Sequence, residues 1–495
     1  MKILLKKFKP YLLQLTLLVG LTYISVLTNL ALPEYMAEII NKGIVGKDNL
    51  LIYSSGYRML AVSLLGAVCT IAVGYLASKI ATGFSRDVRC EMFTRVEGYS
   101  LAEFNKFSTA SLITRTTNDI QQIQMVLIML LRMVLSAPIM GIGAIIKAYH
   151  TAPSMTWLMA LAVSVMLVII IILFSVALPK FKILQNLLDK LNLVARENLT
   201  GLRVIRAFNN EELQEKKFDL ANIELTRVNL FVNRLMVIMQ PFMMLIFNIT
   251  SIAIIWYGAK LIDGSNLSIG EMMAFMQYAM QVIMSFLMFS IIFIMIPRAS
   301  VSAQRIAEVL KSESSIKEPE NPILEYRKTT EKIKFENVVF SYPGADKPAL
   351  IDISFSVDAG KTTAIVGGTG SGKSTLINLI PRFYDVSQGR ILIDNVDIKN
   401  IRLSDLHNKL GYVPQKGVLF SGTIESNIKY GDPRASRDRV EKAAKIAQAS
   451  EFIEKLQDRY GNIIAQGGHN VSGGQKQRLS IARAIIKNPE IYIFD

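Results

Sequence analysis

TTAIVGGTGSGKSTLINLI, residues 362–380, sets the reading of the second half of the chain. Residues 362–366 read as a buried strand, and from Ser374 onward the sequence reads as a helix. Between them Gly367, Gly372, Lys373 and Ser374 hold the spacing G-x-x-x-x-G-K-S. Each part has a chemical purpose. Glycines let backbone N–H groups turn inward around a phosphate, where a Cβ would obstruct. The start of a helix offers free N–H groups and the positive end of its dipole to the same anion. The Lys373 ammonium can reach the outer phosphates of a nucleotide, and the Ser374 hydroxyl can coordinate magnesium. Gly370, Ser371 and Thr375 complete the predicted phosphate-binding set.

A loop of this kind needs a second magnesium anchor, an acidic residue at the tip of a neighbouring apolar strand. IYIFD, residues 491–495, fits, with Asp495 as the anchor. The expectation is therefore that the sequence stops inside its own magnesium-binding motif. On that expectation the domain is truncated at its C-terminus, and the 495-residue chain alone turns nucleotide over poorly.

Upstream the character changes. SESSIKEPENP, residues 312–322, is polar, and from Ile333 short apolar strands alternate with glycine turns and helical segments, as in a soluble α/β domain. Across the whole chain apolar residues make up 51% and charged residues 19%, a balance that points to a membrane protein with a soluble part. Six stretches reach the roughly 20 residues a bilayer-crossing helix needs: 11–33, 59–80, 125–149, 157–178, 231–256 and 272–297. The connections after the second and fourth are long and polar. Lys2, Lys6, Lys7 and Lys9 precede the first span, and basic residues such as Arg86, Arg89, Lys180, Lys182 and Lys190 follow the second and fourth. By the positive-inside tendency the N-terminus and both long loops are cytoplasmic. The opening sequence imitates a secretory signal, but its apolar run continues to Pro33 and reads as an uncleaved first span. The expected division is residues 1–311 for the membrane domain, 312–331 for a linker and 332–495 for a nucleotide-binding domain.

The net charge of +15 lies largely beside the spans, and no basic stretch interleaved with aromatics supports nucleic-acid binding. Cys69 and Cys90, with His150, His407 and His469, have neither disulfide nor metal spacing.

VSGGQ, residues 471–475, followed by KQRLSIARA, resembles the signature motif of ATP-binding cassette proteins. In register with the phosphate loop, IYIFD and six preceding spans, it makes the chain similar to an exporter-type half-transporter of that superfamily. The resemblance implies an α-helical transmembrane domain followed by an α/β P-loop NTPase domain, with ATP and Mg²⁺ as cofactors. It puts Tyr342 of SYPG against adenine, and Gln415 of GYVPQ beside the magnesium and the attacking water. It also implies that Ser472, Gly473, Gly474 and Gln475 belong to a signature contacting the γ-phosphate held by a second subunit, so the working unit is a dimer. Segments 107–119 and 197–212 resemble intracellular loops whose short coupling helices press on the nucleotide domains. Gln466, where many relatives carry Glu, resembles one half of a heterodimeric exporter with a weak ATP site. A heterodimer is favoured over a homodimer on that ground.

The cargo is less legible. Met276, Met280, Met284 and Met288 are four apart, and Phe242, Phe247, Phe275, Phe286, Phe289 and Phe293 lie in the last two spans. Thioethers and aromatics suit a cavity for varied lipophilic molecules, and equally a surface against lipid or other helices. Gln240, Gln277 and Gln281 place amides at membrane depth, lining a cavity or bonding helix to helix. By family analogy the cargo is a lipophilic drug-like compound or a lipid. Two other readings stand beside an exporter: a mainly regulatory ATP-binding half, and an ATP-gated channel.

Overall fold

The computed structural model describes residues 7–323 and 329–495, without the side chains of residues 178, 182, 289–294, 297 and 298. Lys2 and Lys6, and the side chains of Lys182, Phe289 and Phe293, lie outside the described residues. The chain divides into two compact units. One is Met1–Phe93 with Ile113–Leu310, and the other is Thr94–Leu112 with Lys311–Asp495.

Seven helices account for most of the first 311 residues: α1 (Leu12–Glu38), α2 (Asn49–Glu97), α3 (Leu101–Phe107), α4 (Thr109–Thr151), α5 (Thr156–Ala207), α6 (Glu211–Asp263) and α7 (Ile269–Lys311). Helix α4 contains two π-helical segments, Arg115–Asp119 and Leu130–Val134. Among the described residues, five stretches, built on α1, α2, α4, α5 and α6, are long and apolar enough to cross a membrane. The sixth expected span falls in α7, partly on residues outside those described. A bilayer core accommodates about 20 helical residues. At 49, 52 and 53 residues, α2, α5 and α6 continue well beyond it.

Apolar side chains gain nothing from meeting each other rather than lipid, so membrane helices associate through close packing and hydrogen bonds. A Cβ on Gly258 of α6 would come within 2.7 Å of the Met272 sulfur, and one on Gly141 of α4 within 2.7 Å of the Ser285 hydroxyl. Small residues therefore set both helix approaches. The amides of α7 go to α1: Gln277 Nε2 donates to Met36 Sδ (3.0 Å), and Gln281 Nε2 to the Asn29 carbonyl (3.3 Å). Tyr278, fully buried between them, donates to the Leu30 carbonyl at 3.1 Å. Of the two readings open for Gln277 and Gln281, helix-to-helix bonding is the one observed. Gln240 is exposed, as are Met280, Met284 and Met288.

Two expectations about the loops are corrected. The separate short helix of the first loop is α3, ahead of residues 107–119, most of which form the start of α4. Its Ser100–Glu103 capping box starts the helix, and Ser108 at φ +56° breaks it from α4. The second loop has no separate helix: α5 runs to Ala207, α6 begins at Glu211, and the turn between them carries Asn209 at φ +50°. With residues 197–207 already helical, nothing in that stretch interrupts the hydrogen-bond ladder.

The second unit holds β1 (Glu331–Phe340), β2 (Leu350–Asp358), α8 (Lys373–Leu379), β3 (Gln388–Ile393), β4 (Val396–Asp397), α9 (Leu403–Lys409), β5 (Leu410–Val413), β6 (Gly422–Thr423), α10 (Ile424–Lys429), α11 (Arg437–Ile446), β7 (Ile463–Ile464), α12 (Gly473–Ile486) and β8 (Ile491–Phe494). An antiparallel sheet runs β2-β1-β3-β4, β5 pairs with β8 in parallel, and β6 pairs with β7. Along β1, Ile333 and Phe335 point into the core, a register shift passes through Asn337, and Val338 and Phe340 resume the inward face. Opposite that bulge stands Gly389 at φ +75°, where a Cβ would sit 2.3 Å from the Asn337 carbonyl oxygen.

The predicted strand at 362–366 does not form. Those residues have no regular structure and are exposed, Val366 by 91%. A strand is stabilised by a ladder and a covered face. Among the described residues none runs beside this segment, because β5 and β8 pair with each other. The polar stretch read as a linker is bonded along the second unit. Arg382 donates to the Lys317 carbonyl (3.2 Å), the Leu403 N–H to Glu318 (3.2 Å), and the Ile323 N–H to the Asn400 carbonyl (3.0 Å).

A buried charge closes this unit. Asp394 and Asn395, at φ +50° and +62°, make the two-residue turn between β3 and β4. The Asp394 carboxylate, 1% exposed, accepts from Lys332 and Lys409, each at 2.9 Å. Burial alone would raise its pKa, but the two ammonium groups outweigh it and hold the carboxyl below its ordinary range. A depressed carboxyl stabilises the fold above its unfolded pKa of about 4, and that contribution is lost as pH falls through the folded value. Asp394→Asn keeps a residue that tolerates positive φ but removes the buried carboxylate that Lys332 and Lys409 share. We expect it to destabilise the unit by about 3 kcal/mol, as when one member of a buried ion pair is removed. Thermal unfolding of the purified protein at neutral pH reads the loss, and an unshifted transition contradicts it.

Candidate functional site

The phosphate loop turns at Gly370 (φ +83°) and Gly372 (φ +90°), both in the left-handed region that residues with a Cβ seldom enter. Gly372 caps α8, and a Cβ there would also strike Leu350 at 2.8 Å. The loop is open: Gly367, Gly368, Gly370 and Ser371 are all exposed. Lys373 folds back over it, its Nζ donating to the carbonyls of Gly367 (2.9 Å) and Gly368 (2.7 Å). The ammonium thus sits over the mouth of the loop, held by neutral acceptors that an anion can outcompete, since a bond between opposite charges adds Coulomb attraction.

One residue along, Ser374 Oγ donates to Asp495 Oδ1 at 2.8 Å, across 121 positions of sequence. Two features bring them together. Ser374 lies in the first turn of α8, and Asp495 continues β8, its N–H donating to the Val413 carbonyl at 3.0 Å. A hydroxyl and a carboxylate side by side are oxygen donors of the kind a hard divalent cation takes, so the pair fits Mg²⁺. Gln415 follows the end of β5, the parallel partner of β8. It therefore leaves the same C-terminal edge as Asp495, the edge at which open α/β sheets bind ligands.

Tyr342 stands beside the loop, its hydroxyl 2.9 Å from Thr375 Oγ1. Phe340 meets it edge-on (centroids 4.9 Å), and Tyr384 does the same from another side (5.3 Å, interplanar 87°). The ring is fixed by neighbours yet partly exposed, as a stacking platform for a base requires. Tyr384 was not singled out from the sequence. The available signal was RFYD, residues 382–385, an aromatic pair just beyond the phosphate-loop helix.

Ser472–Gln475 form a separate group. Ser472 is the N-cap of the 14-residue α12 in a capping box: Gln475 Oε1 accepts from the Ser472 N–H at 2.9 Å, and Ser472 Oγ from the Gln475 N–H at 3.3 Å. Gly473 and Gly474 are exposed, with open space where a Cβ would lie. Hydrogen bonds join Lys373, Ser374, Thr375, Tyr342 and Asp495 around one loop, whereas among the described residues those of Ser472 and Gln475 stay within their own cap.

Residues 15–286 match the family model of the ABC transporter transmembrane region, and residues 350–495 match that of the ABC transporter itself. The chain is 39% identical to an uncharacterized ABC transporter ATP-binding protein of Mycobacterium tuberculosis, over 98% of this chain and 84% of the relative. It is 35% identical to the uncharacterized ABC transporter ATP-binding protein YfiB of Bacillus subtilis, over the same shares of each. Among solved structures it resembles a bacterial Atm1-family ABC exporter with ATP bound, at a TM-score of 0.78 and 25% identity, covering 99% of this chain and 85% of that one. Membrane-crossing helices, a glycine cradle with its lysine and a signature cap thus stand in one polypeptide that belongs to the ABC transporter family, the ATPase-coupled transporters of membranes.

Proposed function

We propose that the protein exports lipophilic small molecules, drug-like compounds or lipids, across a membrane, with ATP binding and hydrolysis as the driving force. The observation that carries this reading is the Ser374–Asp495 pair at 2.8 Å beside a lysine poised over an open glycine loop. Likeness in fold to an exporter with ATP bound supports the direction. The exposed face of Met280, Met284 and Met288 supports an apolar cargo.

In this reading residues 332–495 are the nucleotide-binding domain and residues 1–311 the membrane domain, with the polar segment 312–331 between them. Tyr342 offers its ring to adenine, and the loop N–H groups take the phosphates. Lys373 exchanges its two backbone carbonyls for phosphate oxygens. Ser374 and Asp495 hold Mg²⁺, which when bound neutralises charge developing on the phosphates. Gln415 orients the attacking water. The exposed start of α12, Ser472 to Gln475, reaches the γ-phosphate held by a second subunit, a use to which a helix N-terminus is suited. ATP thereby favours the closed dimer, and its differential affinity for that state moves the helices.

Gln466 favours a second reading, in which this chain is the regulatory half of a heterodimer. It lies in a 3₁₀ turn just ahead of the signature and replaces a negative charge with a neutral amide. Inverted membrane vesicles separate the readings. With ATP·Mg²⁺ they are expected to accumulate the lipophilic dye Hoechst 33342 against its gradient, and a Lys373→Met variant to lose that accumulation. Accumulation unchanged by the variant supports the regulatory half. Movement only down the gradient contradicts export.

A further inference from the structure

The six spans read from the sequence contain no Asp or Glu and four basic residues, Lys79, Arg132, Lys147 and Arg234. Three of these have an ordinary place. Lys147 pairs with Glu34 at 2.7 Å, and the Lys79 ammonium lies 5.7 Å from the centre of the Tyr75 ring. Lys79 and Arg234 also stand at the cytoplasmic ends of their spans, where long basic side chains reach the headgroups. Arg132 is different. It lies inside the span 125–149, about 10 Å from the inner end at 1.5 Å per residue, in a hydrocarbon core about 30 Å thick. The residue is exposed, and among the described residues none bonds its guanidinium. Asp119, the one carboxylate on α4, is buried and accepts from Ser302 at 2.9 Å.

Local structure sets this arginine apart as well. It occupies the middle of the π-helical segment Leu130–Val134, a widened turn often found at functional sites. Ser136 Oγ donates to the Arg132 carbonyl at 2.6 Å, so the backbone acceptor is satisfied while the side chain is left for another partner. Gln121, Met125, Met129 and Arg132 follow one another at helical spacing, and all four are exposed. Farther along α4 the exposed residues are Ile142, Ile145 and Ile146. Aliphatic faces suit lipid. A face with an amide, two thioethers and a guanidinium suits a cavity that admits water.

We infer that Arg132 lines the path of the cargo and binds an anionic headgroup on it, so that the exporter prefers acidic amphiphiles. Such a molecule joins an apolar tail to a carboxylate, sulfonate or phosphate. The guanidinium fork meets two oxygens of these groups at once, with the added strength of opposite charge. A cation at this depth is costly unless it is paired or hydrated, and the spans supply no carboxylate to pair with it. The apolar tail meets Met125 and Met129, whose thioethers adapt to varied shapes. The inference rests on the export reading above and narrows its cargo.

The purified transporter is reconstituted in phosphatidylcholine vesicles with its nucleotide-binding domain outside, so that no lipid carries net negative charge. Initial ATP-driven accumulation is measured for a nitrobenzoxadiazole-labelled alkyl sulfonate, whose charge is permanent, and for the basic dye Hoechst 33342. The wild type is expected to concentrate the sulfonate. The ratio of sulfonate to Hoechst accumulation is expected to fall about tenfold in Arg132→Gln, the scale of a lost charge-assisted bond, and further in Arg132→Glu. Arg132→Lys, which keeps the charge, should hold the ratio to within about twofold. If Arg132→Glu fails to insert, the neutral variant carries the test. A merely structural role lowers both probes alike, and a ratio unmoved in Arg132→Gln overturns the inference. So does a ratio unmoved while added phosphatidylglycerol raises ATPase activity only with Arg132 present, which assigns the guanidinium to a resident lipid. A wild type that concentrates Hoechst but not the sulfonate overturns the inference alone. One that concentrates neither overturns it together with the export reading.

Discussion

Lys373→Met is expected to lower ATPase activity by about 10²–10³-fold, the scale seen when one preorganised donor to a developing negative charge is removed. The side chain is partly exposed and among the described residues bonds two carbonyls of its own loop, so the fold has little at stake in it. Surface substitutions of this kind move stability by about 0.5 kcal/mol or less, and the thermal transition should stay in place. Lys373→Arg should not rescue the rate. A planar guanidinium carries the charge but is bulkier than the ammonium held between the Gly367 and Gly368 carbonyls. The outcome also chooses between the two functional readings. A regulatory half predicts that the complex keeps most of its turnover at the partner's site. Steady-state phosphate release from purified wild-type and variant protein decides the matter.

Asp495→Asn has the second large effect. The amide keeps the shape of the carboxylate, so Asp495 can go on following β8 beside Val413. What it loses is a negative oxygen beside Ser374. Magnesium takes hard, anionic oxygen donors, and an amide oxygen is a poor replacement. The expected result is a rate lower by about two orders of magnitude at saturating ATP. The magnesium concentration for half-maximal activity should rise by at least about tenfold, or about 1.4 kcal/mol of lost binding. Affinity for ATP in the absence of magnesium should not fall, because the charge removed is a negative one that repels the uncomplexed phosphates. A variant with the wild-type magnesium dependence would show that Asp495 is not an anchor.

What the sequence displays plainly are the features set by local chemistry. The glycine spacing around Lys373 requires positive-φ turns, and Gly370 and Gly372 have them. Asp495 at the end of an apolar run was legible as a partner of Ser374, because a loop that binds magnesium needs a second oxygen donor. Long apolar runs fix helices wherever they occur, and α1, α2, α4, α5 and α6 cover five expected spans. Features that depend on a distant partner were hidden. Residues 362–366 have a strand's composition, yet pairing is decided by what lies alongside, and nothing described does. The position of α3 turned on one break at Ser108. Tyr384 gained its place through the rings of Phe340 and Tyr342, more than 40 positions upstream, and Asp394 through lysines from two other elements.

Direct binding tests the central claim, that the turn bounded by Gly367 and Ser374 holds the triphosphate of a nucleotide. Mant-ATP is titrated into the purified protein with magnesium, followed by competition with ATP, ADP and AMP. The account predicts saturable binding in the micromolar range, about −8 kcal/mol, displaced by ATP far better than by AMP and lost in Lys373→Met. Binding that survives Lys373→Met unchanged, or that AMP displaces as well as ATP, would contradict it.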